Sequence, residues 1–339
     1  MRRSAVLTAI VVVGLGAAGV AAQRGGGRGG GGGIPPTGTI EKIKDNLYKI
    51  GGAGSNTTVF VADGGVVLVD TKLANNGEAI MKQVRTVTDK PVTTLINTHV
   101  HPDHNGSNDY FKAARPSIAV VAHENTKKWV TANPKAIRAT MLDVTFNNVA
   151  QLGSGRDRIE LYYFGAGHTD GDAFVVFPSV RAMCIGDLMA WNMAPLIDPA
   201  TKGSVIALPD TLEKALKGIK NVDLVIEGHG NVNTWAGLRA YAEFNRALLN
   251  VAKASLKKGE TPEQALAELE KNKKFAVFMR EELLKDLEYG GTPKSRALIN
   301  LNVAYQELKG EPVTTNFGPP RGGGPARGAA PPQTPAPGK

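Results

Sequence analysis

Short apolar runs rich in β-branched residues recur along residues 40–227 and alternate with turn residues. Runs of this kind, bounded by glycine, proline, asparagine or aspartate, are typical of β-strands. The dipeptide Asp63-Gly64 between two of them predicts a hairpin turn. The predicted strands are residues 40–44, 47–50, 57–62, 66–69, 92–96, 118–122, 144–149, 159–164, 174–177, 182–185 and 224–226. Helices are predicted at residues 77–86, 125–132, 134–141 and 210–219.

The chain changes character after residue 233, where apolar residues recur at helical spacing. Thr261, Pro262 and Gln264 supply an N-cap, a proline at the first helical position and a capping glutamine, which predicts a second helix. A last helix is predicted from Thr292-Pro293 to the neighbourhood of Gly310. This helical section can cover a site, pack on the core or form a dimer, and core packing is the interpretation we favour. The apolar positions of its first helix are Leu238, Tyr241, Ala242, Leu248, Leu249 and Ala252.

The two β-rich halves, each with outer helices, predict two sheets packed face to face and covered by helices on both sides. We expect this α/β unit to span residues 40–233 and a helical extension to span residues 234–310. A chain of 339 residues buries a core large enough to fold without disulfides. Its one cysteine, Cys184, lies in an apolar run, so we interpret it as a buried inert thiol and not as a nucleophile.

The N-terminus has the pattern of an export signal. Arg2 and Arg3, an apolar run over residues 5–20 and small residues at its end predict a signal peptide over residues 1–22. A retained membrane anchor needs about 20 apolar residues, and glycines interrupt this shorter run. We therefore expect a periplasmic or secreted protein without a stable membrane anchor after cleavage.

Low-complexity segments flank the predicted fold. Residues 23–39 are rich in glycine and residues 311–339 in proline and glycine, so both are predicted to be disordered. Of the net charge of +9, residues 1–39 carry +4 and residues 311–339 carry +2, which leaves +3 for the remainder. The basic balance is therefore largely a property of the ends. Glycine-arginine runs can bind RNA, but without interleaved aromatic residues they do not indicate a nucleic-acid partner.

Histidines and aspartates concentrate just beyond predicted strands. The segment after the fifth strand contains His99-x-His101-x-Asp103-His104, which places three of the six histidines within six positions. In an extended chain, residues two apart point to the same side, so His99 and His101 can reach one metal ion. Pro102 then breaks the strand, and the following turn allows Asp103 and His104 to face a second ion.

Three further candidate ligands follow strands in the same way. His168 lies in the glycine-rich residues 164–172, Asp187 ends an apolar run, and His229 follows another beside two glycines. Imidazole and carboxylate are the ligands that zinc accepts, and glycine lets the backbone approach a metal closely. The alternative is a histidine-rich surface loop in which Asp103 only caps a helix. The shared position of these residues argues against that alternative.

The His-x-His-x-Asp-His motif, with its downstream histidines and aspartate, resembles the metallo-β-lactamase superfamily of binuclear metallohydrolases over residues 40–241. The resemblance implies a four-layer αββα sandwich with the ligands along one edge. It assigns His99, His101 and His168 to one zinc ion, Asp103, His104 and His229 to a second, and Asp187 to a bridge between the two. Asp70 matches the first acidic motif of the superfamily, which implies support for the ligands and not metal binding.

The resemblance also implies a zinc-dependent hydrolase with a small-molecule substrate, and the N-terminal signal predicts that this hydrolase is exported. Two zinc ions about 3.5–4 Å apart share a water and lower its pKa. The bridging hydroxide would attack an ester, thioester, lactone or amide bond, and the amide of a β-lactam is one candidate. Asp103 would act both as a ligand and as the catalytic group that orients this hydroxide, and no serine or cysteine nucleophile is needed.

The substrate stays open within this resemblance. Lactonases share an aspartate bridge but carry a tyrosine where this chain has Ala190, and thioesterases share the seven ligands but are usually cytosolic. β-Lactamases of the third subclass share six ligands and are exported, but they lack an aspartate at the position of Asp187. Alternatives of another class are an oxidoreductase resembling the mononuclear-iron persulfide dioxygenases and a non-catalytic metal-binding protein.

Two further features have a less specific interpretation. The sixth histidine, His123, follows a predicted strand, and we interpret it as structural and not as a metal ligand. Trp191, Asn192 and Met193 follow Asp187 and either form a wall of the pocket or pack as a loop on the core.

Overall fold

Two mixed β-sheets face each other, and helices cover both outer faces, so the predicted four-layer sandwich is confirmed. The computed structural model describes residues 36–133, 142–280 and 293–313. The predicted signal peptide, most of the glycine-rich linker, the helix predicted at 134–141 and the tail from residue 314 lie outside the described residues. The domain boundaries remain a prediction.

The first sheet has seven strands in sequence order across the sheet. Its first four strands pair antiparallel, and the last four pair parallel to one another. Antiparallel neighbours need only tight turns, whereas the parallel pairs need crossovers, and these contain helices. The strands are β1 (Ile40–Lys44), β2 (Leu47–Ile50), β3 (Thr57–Ala62), β4 (Gly65–Val69), β5 (Val92–Ile96), β6 (Ala119–His123) and β7 (Val144–Phe146).

The second sheet has six strands and is antiparallel except for one pair. The strands are β8 (Val149–Leu152), β9 (Ile159–Tyr162), β10 (Phe174–Phe177), β11 (Ala182–Gly186), β12 (Leu224–Glu227) and β13 (Val232–Thr234). Their order across the sheet is β13-β12-β11-β10-β9-β8. β11 and β12 are the parallel pair, and a helical crossover connects them.

Eight α-helices lie within the described residues. They are α1 (Gly77–Val84), α2 (Pro102–Asn105), α3 (Asn108–Ala114), α4 (Glu124–Ala132), α5 (Leu208–Gly218), α6 (Trp235–Lys257), α7 (Pro262–Glu270) and α8 (Pro293–Lys309). Residues of α1, α3 and α4 bury against the outer face of the first sheet. Residues of α5 to α8 bury against the outer face of the second, so the favoured core packing of the C-terminal helices is confirmed. Within the described ranges, no helix combines the length and apolar composition needed to cross a membrane.

Successive apolar side chains along the central strands pack alternately on the two faces of the sheet. In β4, Val66 and Leu68 belong to the outer apolar cluster, whereas Val67 and Val69 belong to the cluster between the sheets. Successive side chains on a strand point to opposite faces, so a strand that is apolar at every position is buried on both sides. Each fully buried valine or leucine contributes about 1.5–3 kcal/mol. Cys184 of β11 lies between the sheets, as expected for a structural thiol.

The structure differs from the predicted elements in two ways. Residues 144–149 do not form one strand, because the chain bends at Asn147-Asn148 and crosses from β7 in the first sheet to β8 in the second. The short elements α2, α3 and β13 are absent from the prediction, since none has enough apolar positions for a periodic pattern. By contrast, the predicted capping box of α7 is present, with Thr261 and Gln264 each bonding the other's backbone N–H.

Candidate metal centre

Strand register brings the candidate residues to one edge of the sandwich. In the first sheet Val69 pairs with Ile96, so Asp70 and the segment that follows β5 lie side by side. In the second sheet Gly186 pairs with Glu227, which places Asp187 next to the segment that contains His229. Gly228 is required at this point, because a Cβ there would collide with the Asp187 carboxylate.

His99, His101 and His168 form the first group of potential metal ligands. His101 Nδ1 lies 3.2 Å from His99 Nε2 and 2.8 Å from His168 Nε2. The first two residues follow β5, whereas His168 comes from the loop between β9 and β10. The three ring nitrogens therefore converge on one point, although 67 positions separate His101 from His168.

Asp103, His104 and His229 form the second group. Asp103 Oδ2 lies 3.2 Å from His229 Nε2 and 3.7 Å from His104 Nε2, and the two Nε2 atoms are 3.4 Å apart. Asp103 and His104 belong to α2, which begins at Pro102 directly after His101. This turn rotates the second pair of the motif away from the first pair, as the sequence predicts.

The Asp187 carboxylate lies between the two groups. Its Oδ1 is 3.3 Å from His104 Nε2, and its Oδ2 is 3.3 Å from His229 Nε2 and 3.8 Å from His168 Nε2. Oδ1 is buried and makes no hydrogen bond. A buried carboxylate oxygen of this kind needs a cationic partner. The structure thus brings together all seven residues that the sequence nominates as ligands.

The far ring nitrogen of every histidine in the centre has a fixed partner. His104 Nδ1 lies 2.8 Å from Asp70 Oδ2, His101 Nε2 lies 2.8 Å from Asp198 Oδ2, and His229 Nδ1 lies 2.9 Å from Gly54 O. His168 Nδ1 contacts Leu196 O. Carboxylate and carbonyl oxygens only accept, so each of these nitrogens carries the ring hydrogen.

The far ring nitrogen of His99 is also fixed, in this case by the hydroxyl of Thr98. The Thr98 hydroxyl donates to Asp70 Oδ2 at 2.7 Å, so its oxygen accepts from His99 Nδ1 at 3.0 Å. In the neutral form of each of the five rings, the nitrogen that faces the cluster is therefore the unprotonated one. Outer partners that fix the tautomer in this way accompany nearly all metal-binding histidines, and the donor set fits zinc.

Burial and the neighbouring charged groups shift the pKa values of the histidines and carboxylates in the centre. Burial lowers the pKa of His99, and it lowers the pKa of His168 to about 4, so both rings are neutral. Burial acts in the same direction on His229, but Asp187 and Asp103 outweigh it and raise that pKa to about 9. The pKa of the Asp187 carboxyl is held well below its usual value, against burial, by His229 and His104. The carboxylates thus require positive charge, which protons or a bound cation can supply.

Asp70 is buried and supports the centre without joining either group. It accepts hydrogen bonds from Thr98 N at 2.8 Å and from the Thr98 hydroxyl, in addition to its contact with His104. Its backbone is left-handed, with φ of 61°, a conformation that is strained for a residue with a side chain. Local contacts hold this strained backbone at the end of β4.

Residues outside the two groups have separate environments. His123 stacks on Tyr163, and both of its ring nitrogens bond to backbone of neighbouring segments. Burial raises the pKa of Cys184 to about 12, which leaves a neutral thiol. Trp191, by contrast, stacks on the His229 ring and borders the centre.

Sequence reasoning misses Asp198, whose carboxylate fixes His101. It lies in an irregular segment, and 97 positions separate the two residues. Its position shortly after Asp187, on the same loop, is the only signal that points to it.

Comparison with known proteins supports the architecture. The model of the metallo-β-lactamase superfamily matches residues 50–204, which include all seven candidates except His229. The metallo-β-lactamase type 2 of Bacillus sp. (strain 170) is 27% identical over 179 residues, which cover 52% of this chain and 67% of the relative.

Solved structures extend the likeness. The DIM-1 metallo-β-lactamase superposes with a TM-score of 0.55 at 22% identity and covers 63% of this chain and 99% of its own. The sec-alkylsulfatase Pisa1 from Pseudomonas sp. superposes with a TM-score of 0.65 at 16% identity over 80% of this chain, which spans half the length of that enzyme. These structures show the shared fold, and from the family match and the relatives we conclude that this chain belongs to the metallo-β-lactamase superfamily.

Proposed function

We propose that the chain is a hydrolase that holds two zinc ions. His99, His101 and His168 would bind the first ion, and Asp103, His104 and His229 the second, with Asp187 contacting both. The observation that carries this proposal is the hydrogen-bonded far nitrogen of all five histidines, which leaves the other nitrogen of each neutral ring directed into one cluster and available to a metal. When bound, a zinc pair supplies Lewis-acid polarisation and a water of lowered pKa.

Asp103 is the proposed catalytic carboxylate. Its side chain is 26% exposed, against 8% for Asp187, so it is the carboxylate of the cluster that solvent and substrate can reach. Burial raises the pKa of Asp103, but His104 and His229 outweigh that effect and hold it well below its usual value. The group is therefore an anion at neutral pH, and it can accept a hydrogen bond from the attacking water and orient it.

We infer a small-molecule substrate with an ester, thioester, lactone or amide bond. The named relatives are β-lactamases, which makes β-lactams the first compounds to test. A structural neighbour that covers 80% of this chain is a sec-alkylsulfatase, so sulfate esters belong in the same panel. The N-terminal pattern supports export. Mass spectrometry of the mature chain tests that part of the proposal, and we expect Gln23 to be its first residue.

The test is a hydrolysis panel on the zinc-loaded protein, with β-lactams, lactones, thioesters, phosphodiesters and sulfate esters side by side. We expect turnover of at least one class, and His104→Ala should abolish most of it. His123→Gln is the matched control, because it removes a buried histidine that lies outside both metal groups. No hydrolysis in any class, or oxygen consumption with a persulfide by an iron-loaded chain, would overturn the proposal.

A further inference from the structure

The loop between β11 and α5 has a strained backbone beside the metal centre. Trp191 and Asn192 have φ angles of 54° and 50°, a left-handed conformation that bulky residues rarely adopt. Such a conformation persists only where surrounding contacts hold it, and it is often found at functional sites. Here Trp191 N donates to His229 O at 3.1 Å, and Asn192 N donates to the Glu227 carboxylate at 2.9 Å. Both contacts tie the loop to the end of β12.

The Trp191 indole contacts two charged or chargeable groups. It stacks on the His229 imidazole, with ring centroids 4.3 Å apart and planes inclined by 22°. The guanidinium of Arg296, which belongs to α8, also lies over the indole, 5.0 Å from its centroid. The Arg296 side chain is fully buried. A cation–aromatic contact of this kind is strongest where water is excluded.

Helix α8 also anchors the same loop at two other points. Asn300 Nδ2, one turn beyond Arg296, donates to Pro195 O at 2.8 Å. Further along the helix, the Glu307 carboxylate accepts from the Ser204 hydroxyl at 2.6 Å. One helix therefore holds three points of the loop that follows Asp187.

We propose that Arg296 and Trp191 are positioning residues for His229, so that the C-terminal helix contributes to metal affinity. On the side away from the cluster, the His229 ring has one hydrogen bond, from Nδ1 to Gly54 O, and a single bond on that side leaves the ring plane free to tip. The stacked indole removes that freedom, and Arg296 holds the indole. This inference rests on the proposed metal function and extends it to residues outside the ligand set.

A pure charge effect of Arg296 predicts the opposite sign. A buried guanidinium near a divalent cation repels it, so its removal would raise metal affinity. If Arg296 instead acts by positioning Trp191, removal of its guanidinium should lower metal affinity, and only for the ion bound by the group that contains His229. The two explanations are thus separable by the direction of one measurement.

The experiment is a zinc titration of the full chain in competition with a chromophoric chelator. We expect Arg296→Met and Trp191→Ala each to weaken one of the two zinc sites about tenfold, the range seen for outer partners of metal ligands, and to leave the other unchanged. Arg296→Lys, which keeps the cation, should recover part of the loss. The double variant should be no weaker than Trp191→Ala alone, because both changes act on one contact.

Leu301→Ala is the control, because Leu301 is buried on α8 in the apolar cluster and makes none of these loop contacts. It should lower the melting temperature and leave both zinc affinities intact. Unchanged or higher affinity in Arg296→Met, an equal loss at both sites, or an equal loss in Leu301→Ala would each overturn the inference. A wild-type chain that binds no zinc would instead overturn the proposed function itself.

Discussion

Asp70 tests how far the metal centre depends on groups that do not bind metal. Its carboxylate accepts from Thr98 N, from the Thr98 hydroxyl and from His104 Nδ1, at distances of 2.7–2.8 Å, and it is buried. One residue thereby fixes a proposed ligand, His104, directly. It also orients the hydroxyl that accepts from His99, so both proposed metal groups depend on it.

The informative change is Asp70→Asn, which keeps the shape and replaces one oxygen by an NH2 group. In either orientation of the amide, this group faces at least one buried donor from Thr98 or His104. A buried donor left without an acceptor costs about 1–3 kcal/mol in the free energy of unfolding. Loss of an outer partner lowers metal affinity by about 10–100-fold.

Urea unfolding in the presence of a chelator measures the first effect, and zinc competition measures the second. Asp172→Asn is a matched control, because Asp172 is a buried carboxyl that also accepts from the N–H and hydroxyl of one threonine, Thr169, without a hydrogen bond to a histidine ring. We expect it to affect stability and not zinc affinity. Asp70→Asn with wild-type zinc affinity would refute the role assigned to this carboxylate.

Three further predictions concern single residues. Asp198→Ala removes the acceptor of His101 Nε2, so zinc competition should show about tenfold weaker binding at the first group; unchanged binding contradicts this. Burial lowers the pKa of Lys72 from 10.5 to about 7, so between these pH values the unfolded chain binds more protons than the folded chain. Lys72 should therefore add a contribution to the free energy of unfolding that rises from about pH 7 to about pH 10, and Lys72→Met should lack it. Equal pH slopes of the two proteins in urea denaturation would exclude this contribution. Cys184, with its pKa raised to about 12 by burial, should react with a thiol reagent only in denaturant, and modification of the native chain would disprove its burial.

Most strands of the fold are predictable because their apolar runs are complete. β5 and β10 have the bounds that the sequence predicts, since turn or charged residues end each run sharply. The break at Asn147-Asn148 is less visible, because apolar residues on both sides suggest one strand while the two halves pair with different sheets. Which sheet a short strand joins depends on long-range pairing, and local composition does not encode that choice.

The candidate ligands are predictable for a different reason, since each is a histidine or aspartate in a repeated position beyond a strand. Asp198 and Arg296 carry no such signal. Arg296 resembles a solvent-facing residue of a helix when the sequence is considered alone, yet the packing of α8 on the loop after Asp187 buries it completely. Contacts of this kind arise from tertiary packing between distant segments.

The number of zinc ions per chain is the most direct test of the central claim. Native mass spectrometry or elemental analysis of the zinc-loaded protein, after removal of free metal, supplies that number. We predict two ions for the wild type and for His123→Gln, and one ion for His104→Ala or Asp187→Ala. A wild-type chain with one ion or none, or a His104→Ala chain that keeps both, would contradict the two-metal centre.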